Sequence, residues 1–161
     1  MISENTTQIR GHLISEFGFD LLESPRFIEA WLCEKCNLTQ TSEYQKTYDA
    51  THVNGAKVEI KSSKRTFRNH KRNPFYAYVF SSLQGVTNQG KGAHLFVLVG
   101  INNGDLRFWI VPSQAIGKRG RVEIQVTNIK YEGAGKWQKY EVDSDSLIER
   151  IDQVAKECLA T

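Results

Sequence analysis

Residues 48–63, with the sequence YDATHVNGAKVEIKSS, constrain the fold more than any other part of the chain because they have the pattern of a β-hairpin. The Asn-Gly pair at positions 54–55 is a strong turn signal between two strand-like segments. After the turn, apolar residues alternate with Glu59 and Lys61, and successive side chains of a strand point to opposite faces of its sheet. We therefore predict that Glu59 and Lys61 share the face away from the core, roughly 7 Å apart.

The length of the hairpin loop decides whether Asp49 joins that face. A two-residue loop would place Asp49 opposite Ile60, with its side chain pointing into the core. A three-residue loop over 53–55 would place Asp49 directly across from Glu59, and its final glycine suits the left-handed conformation common at that position. We predict the three-residue loop, or another of odd length, which brings the Cβ atoms of the two acids to about 5 Å.

Two carboxylates at that separation repel each other unless a cation lies between them. Mg²⁺ is the expected cation, with Mn²⁺ as a substitute, because Mg²⁺ is often held by one or two carboxylates together with water and substrate phosphate. An ion of this kind polarises a phosphodiester and activates a water molecule for attack. Lys61 would stabilise the developing negative charge or position the water, and the backbone carbonyl of Ile60 is a further candidate metal ligand.

The series Asp49, nine intervening residues and then Glu59-Ile60-Lys61 resembles the motif of the PD-(D/E)XK nuclease superfamily, which includes most type II restriction endonucleases. The spacing and the following Ser62 are similar to those of small restriction enzymes and archaeal junction resolvases. The resemblance implies that Asp49 and Glu59 are catalytic metal ligands and that Lys61 is the catalytic lysine.

Many members of that superfamily also place a glutamate on the helix before the hairpin. Glu29 is the catalytic candidate that the resemblance implies, with Glu4, Glu16 and Glu34 as alternatives. One position departs from the family pattern, since Tyr48 stands where many members have proline. The motif is short, and the alternative interpretation is an exposed hairpin face with a Glu-Lys pair for solubility.

The stretch from residue 60 to residue 104 contains seven basic and no acidic residues, although the net charge of the chain is only +3. A surface that binds the DNA backbone needs such a composition because a carboxylate among its contacts would repel phosphate; a solvated basic loop is the alternative. The predicted DNA-binding residues are Lys64, Arg65, Arg68, Asn69, His70, Lys71, Arg72 and Lys91. Lys118, Arg119 and Arg121 form a later basic cluster that is a further candidate for DNA contacts, and the sequence does not show which of these residues read bases.

The predicted elements are two helices, a run of strands and a closing helix. A helix over 4–16 is followed by one that begins near Ser24-Pro25 and ends near Asn37, and the last helix covers 144–159. Strands are predicted at 44–52, 56–63, 75–83, 93–101, 106–112 and 122–129. This order predicts one domain over residues 1–161 of the α/β (α+β) class, and the resemblance implies a restriction endonuclease-like core with a central mixed sheet flanked by helices.

No apolar segment is long enough to cross a bilayer, and the N-terminus lacks the pattern of a signal peptide. We therefore expect no membrane association and a cytoplasmic location in a bacterial, archaeal or phage-infected cell. Cys33, Cys36 and Cys158 are an odd number of cysteines, which favours reduced thiols over a disulfide framework.

Together these features predict a Mg²⁺-dependent DNA endonuclease. A type II restriction endonuclease that cuts a specific double-stranded site is the first hypothesis, as a homodimer, because one active site per chain requires two chains to cut both strands. A structure-specific or phage nuclease such as a junction resolvase, or a homing endonuclease, would share the same chemistry. The third hypothesis is a DNA-binding module without catalysis, in which the motif is coincidental.

Overall fold

The computed structural model describes residues 25–41, 48–68, 75–85, 92–102, 105–126 and 135–160. Its helices and strands, in chain order, are α1 (Pro25–Lys35), β1 (Thr39–Gln40), β2 (Ala50–Thr51), β3 (Lys57–Lys64), β4 (Thr66–Arg68), β5 (Phe75–Phe80), β6 (Leu95–Asn102), β7 (Asp105–Pro112), β8 (Val122–Gln125), β9 (Glu141–Val142) and α2 (Leu147–Leu159). Single 3₁₀ turns lie at Ser113–Ala115, Gln138–Tyr140 and Ser144–Ser146. The helix predicted over 4–16 lies outside the described residues.

A six-stranded mixed sheet forms the centre of the fold, in the order β1-β2-β3-β6-β7-β9. Strands β3 and β6 are parallel, and every other pair in this sheet is antiparallel. A second, antiparallel sheet has the order β4-β5-β8. The α+β class and the mixed central sheet predicted from the sequence are confirmed, whereas strand β4, inside the basic stretch, was not predicted.

The helices and the second sheet pack on opposite faces of the central sheet. The helix-side core contains Ile28 and Leu32 of α1, Leu147 and Ile151 of α2, and Val58, Ile60, Leu95 and Val97 of the sheet. The opposite core contains Phe96, Leu98 and Trp109 of the central sheet with Phe80 and Ile124 of the second sheet. Because β6 is covered on both faces, its sequence is a continuous apolar run rather than an alternating one.

Helix α1 begins and ends where the sequence predicts. Pro25 occupies its first turn, where a missing backbone N–H is not needed. Asn37 has φ +55°, the left-handed conformation that commonly follows a helix, and the Leu38 N–H bonds the Cys33 carbonyl at 2.8 Å. The helix is thereby fixed with Ile28 and Leu32 in the core and the intervening Glu29 only partly buried.

Helix α2 is amphipathic. Leu147, Ile151 and Val154 are buried. Ile148 and Leu159 are exposed. Within the described ranges, no helix is both long enough and apolar enough to cross a membrane, and all three cysteines are free.

The β2–β3 hairpin has the predicted three-residue loop. Thr51 pairs with Lys57, and the loop is closed by a hydrogen bond from His52 N–H to the Ala56 carbonyl at 2.8 Å. Gly55 has φ +94°, a conformation that an L side chain rarely adopts. The odd loop length gives the register in which Val58 and Ile60 enter the helix-side core, so that the side chains between them face away from it.

Candidate active site

Asp49 lies immediately before β2, and both its backbone and its side chain are held in place. Its N–H bonds the Val58 carbonyl at 2.9 Å, and its own carbonyl accepts bonds from the backbone and the hydroxyl of Thr41 at 2.9 and 3.0 Å. The carboxylate oxygen Oδ2 accepts a 2.7 Å hydrogen bond from the Ile60 N–H. Burial raises the pKa of Asp49, while the Ile60 hydrogen bond and the charge of Lys61 lower it.

Glu59 is the most strongly perturbed acid of the hairpin. Its side chain is only 12% exposed, and burial raises its pKa to about 7, with a smaller contribution in the same direction from Asp49. Lys61 and the backbone amide of Gln84 lower the pKa of Glu59 in opposition. Oxygen Oε1 lies 3.6 Å from Lys61 Nζ, whereas Oε2 is buried and has no hydrogen-bond partner in the described part of the chain.

A buried carboxylate oxygen without a partner is costly, and native proteins rarely leave one unsatisfied. A cation that enters beside Glu59 would satisfy Oε2 and would also offset the repulsion between Glu59 and Asp49. The described residues contain no group of three or more His, Cys, Asp or Glu side chains that could hold a metal by themselves. Mg²⁺ does not require such a cage, since one or two carboxylates with water and substrate phosphate are enough, and the donors present fit it.

The carbonyl of Ile60 points toward the same edge as Asp49. The N–H and C=O of one strand residue are directed at the same neighbouring strand, and the Ile60 N–H binds the Asp49 carboxylate. The Ile60 carbonyl is thus directed to the β2 side of β3, where a cation bound by Asp49 would lie.

Glu29 joins this electrostatic group from helix α1. Its pKa is raised first by burial and then by the charge of Asp49, while Lys61 lowers it. Its Oε1 accepts a 3.3 Å hydrogen bond from Gln40 Nε2. Of the alternatives considered for a fourth acid, Glu34 is exposed on α1, and Glu4 and Glu16 lie outside the described residues.

The predicted DNA-binding residues begin at Lys64, the last residue of β3, which is the strand that also carries Glu59 and Lys61. Lys64 and Arg65 are exposed, and the Arg65 guanidinium lies over the Tyr76 ring, 4.3 Å from its centroid. Phe67 is 52% exposed and contacts the same ring edge-on at 5.2 Å. Arg68 belongs to β4, and the remaining predicted DNA contacts, Asn69, His70, Lys71, Arg72 and Lys91, lie outside the described residues.

Two contacts around the hairpin were not predicted from the sequence. His52 is 7% exposed, and its Nε2 lies 2.6 Å from Asp152 Oδ1 of α2. His52 Nδ1 accepts a 3.2 Å bond from the Asn54 N–H, which fixes the ring against the loop. The second is the influence of the Gln84 backbone, which lowers the pKa of Glu59. No local pattern reveals either contact, since both join segments far apart in the chain.

A family model described as a PD-(D/E)XK nuclease superfamily domain matches residues 23–116, more than half of the chain. The matched segment begins just before α1 and ends just after the 3₁₀ turn that follows β7, so it includes Glu29, Asp49, Glu59 and Lys61. Among curated proteins, none matches the chain.

Proposed function

The chain belongs to the PD-(D/E)XK nuclease superfamily, and from this premise we propose that it is a Mg²⁺-dependent endonuclease that cuts double-stranded DNA at a specific sequence. The observation that carries the proposal is the pair of partly buried acids on the β2–β3 hairpin, Asp49 and Glu59, with Lys61 beside them. The buried, unpartnered Oε2 of Glu59 supports a cation as the missing partner.

In this proposal Asp49, Glu59 and the carbonyl of Ile60 hold the ion. The chemistry that a bound Mg²⁺ supplies at such a site is polarisation of the scissile phosphodiester and acidification of the attacking water. The hydrogen bond from the Ile60 N–H keeps the Asp49 carboxylate at the edge of β3, so the site is arranged before substrate binds.

Lys61 and Glu29 act on the reacting groups from two sides. Lys61 Nζ lies 3.6 Å from the Glu59 carboxylate, and the side chain is 37% exposed, so it is accessible to a phosphate that approaches Glu59. There it donates to the phosphoryl oxygen that gains charge, or orients the attacking water. Glu29, whose pKa is raised, holds or releases a proton at the α1 side of the site.

The proposed DNA substrate follows from the positive charge of residues 60–104, and the proposed homodimer follows from the presence of one active site per chain. Residues 60–104 have no acidic side chain, and the exposed Lys64 and Arg65 extend this positive surface from the end of β3. Phosphate contacts from such a surface position a duplex without reading its sequence. A homodimer would place one active site on each strand of a twofold-symmetric target, as expected for a type II restriction endonuclease.

The test is digestion of plasmid and phage DNA by the purified protein with Mg²⁺, with Mn²⁺ and with a chelator. We expect discrete bands with either ion and intact DNA with the chelator. The Glu59→Gln variant, which keeps the size of the side chain, serves as the matched inactive control. A smear of products, no cutting with either ion, or cutting in the chelator would reject the proposal.

A structure-specific nuclease such as a junction resolvase is the second candidate, and Phe67 is the observation that favours it. An aromatic ring that is 52% exposed beside a cationic side chain is suited to stack on bases that are no longer paired. Preferential cutting of four-way junctions over linear duplexes of the same sequence would replace the restriction hypothesis with this one. Equal or weaker cutting of junctions would exclude it.

A further inference from the structure

A cavity of about 600 Å³ lies between two loops, residues 82–85 after β5 and residues 113–120 after β7. Its size is in the range of roughly 300–1,000 Å³ that is typical of small-molecule sites. The segment matched by the family model ends at residue 116. The part of the cavity wall formed by residues 117–120 therefore lies outside the matched segment.

Backbone contacts hold the two loops in a fixed relation. The Leu83 N–H bonds the Gly120 carbonyl at 2.9 Å. Gly120 has φ +60°, and a Cβ there would lie 2.4 Å from the Leu83 carbonyl oxygen, so only glycine permits this approach. Ser82, although not a glycine, has φ +59°, a strained conformation of the kind that is often retained at functional sites. The recess is therefore a built feature of the fold.

Two cations at the cavity have no acidic partner in the described part of the chain. Lys118 and Arg119 both line the cavity and are exposed. Their neighbour Arg121 differs, because its Nη2 lies 2.9 Å from Glu123 Oε2 and its charge is largely compensated. The unpaired charges of Lys118 and Arg119 are available to an anion.

Gln84 connects the cavity to the strand that carries the acids. Gln84 lines the cavity, and its carbonyl accepts a 2.9 Å hydrogen bond from the Ala93 N–H. The next residue, His94, donates a 2.8 Å hydrogen bond to the carbonyl of Lys57 on β3, two residues before Glu59. A ligand in the recess would thus lie next to the phosphate that the hairpin residues act on. A recess of this size suits a single nucleotide outside the base stack.

We propose that this cavity binds one nucleotide of the cleaved strand, adjacent to the scissile phosphate, with its phosphate against Lys118 and Arg119 and its sugar and base in the recess. The inference rests on the proposed function and extends it to the position of the substrate strand. It assigns Lys118 and Arg119 as substrate-positioning residues, outside the group that performs the hydrolysis.

The test measures the binding of thymidine 5′-monophosphate to the full chain in the presence of Mg²⁺ by calorimetry. We expect Arg119→Ala to raise its Kd by about tenfold or more, the ordinary size of a lost charge-assisted contact. Arg121→Ala is the matched control, because it removes an arginine that Glu123 already neutralises, and its Kd should change by less than about twofold. Equal effects of the two substitutions, or no binding by the wild-type protein, would overturn the proposal.

A second variant tests the recess itself. Gly117 lines the cavity, and a Cβ there meets no other atom within 4 Å, so Gly117→Leu adds volume at a position where the backbone tolerates a side chain. We expect it to weaken binding of the nucleotide by about tenfold while leaving the binding of inorganic phosphate unchanged. Wild-type protein that binds inorganic phosphate as tightly as the nucleotide would show a bare anion site and would refute the nucleotide pocket.

These measurements separate the pocket from the proposed function, because nucleotide binding does not require cleavage. Specific nucleotide binding with no cutting of any DNA would leave the pocket in place and reject the endonuclease. Cutting of plasmid DNA by a protein in which Arg119→Ala and Arg121→Ala behave alike would retain the endonuclease and reject the pocket.

Discussion

The carboxylate of Asp49 accepts a 2.7 Å hydrogen bond from the backbone amide of Ile60. Asp49, a candidate metal ligand, thus supplies the acceptor for a backbone N–H of β3, the strand that carries the other candidate ligand, Glu59. The same side chain has two separable roles, since the hydrogen bond needs only an oxygen acceptor whereas cation binding needs the charge. Substitutions at Asp49 therefore distinguish stability from catalysis.

We predict that Asp49→Asn abolishes cleavage but keeps the fold stable, because an amide oxygen still accepts the Ile60 N–H. Asp49→Ala should also abolish cleavage and should lower the free energy of unfolding by about 1–3 kcal/mol, the usual cost of a partly buried donor without a partner. Urea unfolding and plasmid digestion of both variants provide the measurement. An active Asn variant would remove Asp49 from the catalytic group, and equal stability of the two variants would contradict the structural role.

A second prediction concerns the pH dependence of stability without divalent ions. The pKa of Glu59 is about 7 in the folded protein against 4.5 as its ordinary value, so between these values the folded state holds a proton that the unfolded state has lost. Stability in a chelator should therefore fall as the pH rises from 4.5 toward 7, by at most about 1.4 kcal/mol per pH unit from this group. Burial raises the pKa of Asp49 and of Glu29 also, which adds in the same direction.

The Glu59→Gln variant should lose most of this slope and should be more stable than the wild-type protein near pH 8 in the chelator, because it removes a buried charge. Added Mg²⁺ should stabilise the wild-type protein at that pH and have a smaller effect on the variant. Glu34→Gln, at an exposed position on α1, is the control. Urea unfolding from pH 5 to pH 8 measures all three proteins, and a wild-type stability that rises over this interval would contradict the buried state of Glu59.

Local patterns predicted the hairpin, and tertiary contacts determined the rest of the site. The loop ending in Gly55 and the alternation around Glu59 are short-range features, so loop length and strand register followed from them. The approach of Glu29 depends on how α1 packs over the sheet, and the resemblance to a family identified this residue where periodicity alone did not. The contact of His52 with Asp152 joins residues 100 positions apart, and no pattern within either segment encodes it.

Strand β4 illustrates a different limit of sequence analysis. Its residues lie among many basic side chains. The prediction from the sequence therefore gave too little weight to the β propensity of Thr66 and Phe67. The pairing of Thr66 with Ala77 and of Phe67 with Tyr76 shows that a neighbouring strand, rather than local composition, determines this conformation. The cavity beside Gln84 was equally inaccessible, because backbone approach and glycine conformations form it.

A third prediction separates catalysis from binding at Lys61. Lys61→Met keeps the length of the side chain but removes the ammonium group, and we expect the rate of cleavage to fall by about 10²–10³, the usual effect of losing a donor that stabilises developing charge. The affinity for DNA should change little, since many other cations contribute to it. Lys156→Met, at an exposed position on α2, is the matched control and should retain wild-type cleavage. A wild-type rate in Lys61→Met would exclude Lys61 from the chemistry.

The last prediction concerns the link between the hairpin and α2. His52 Nδ1 accepts the Asn54 N–H, so in this arrangement Nε2 carries the proton and donates to Asp152 at 2.6 Å. Asp152 is 54% exposed, which limits the stabilising effect of the pair through solvent screening. We expect a coupling free energy of about 1 kcal/mol in a double-mutant cycle of His52→Ala and Asp152→Ala, measured by urea unfolding.

The same cycle should have a functional readout, because the hairpin loop that His52 holds connects Asp49 to Glu59. Loss of either partner should raise the Mg²⁺ concentration required for half-maximal cleavage more than it lowers the rate at saturating Mg²⁺, since loosening the hairpin separates the two ligands without removing them. Glu157→Ala on the same helix, whose contact with Gln153 is exposed, should change neither quantity. Additive free energies in the cycle, together with an unchanged Mg²⁺ requirement, would show that the pair has no part in positioning the site.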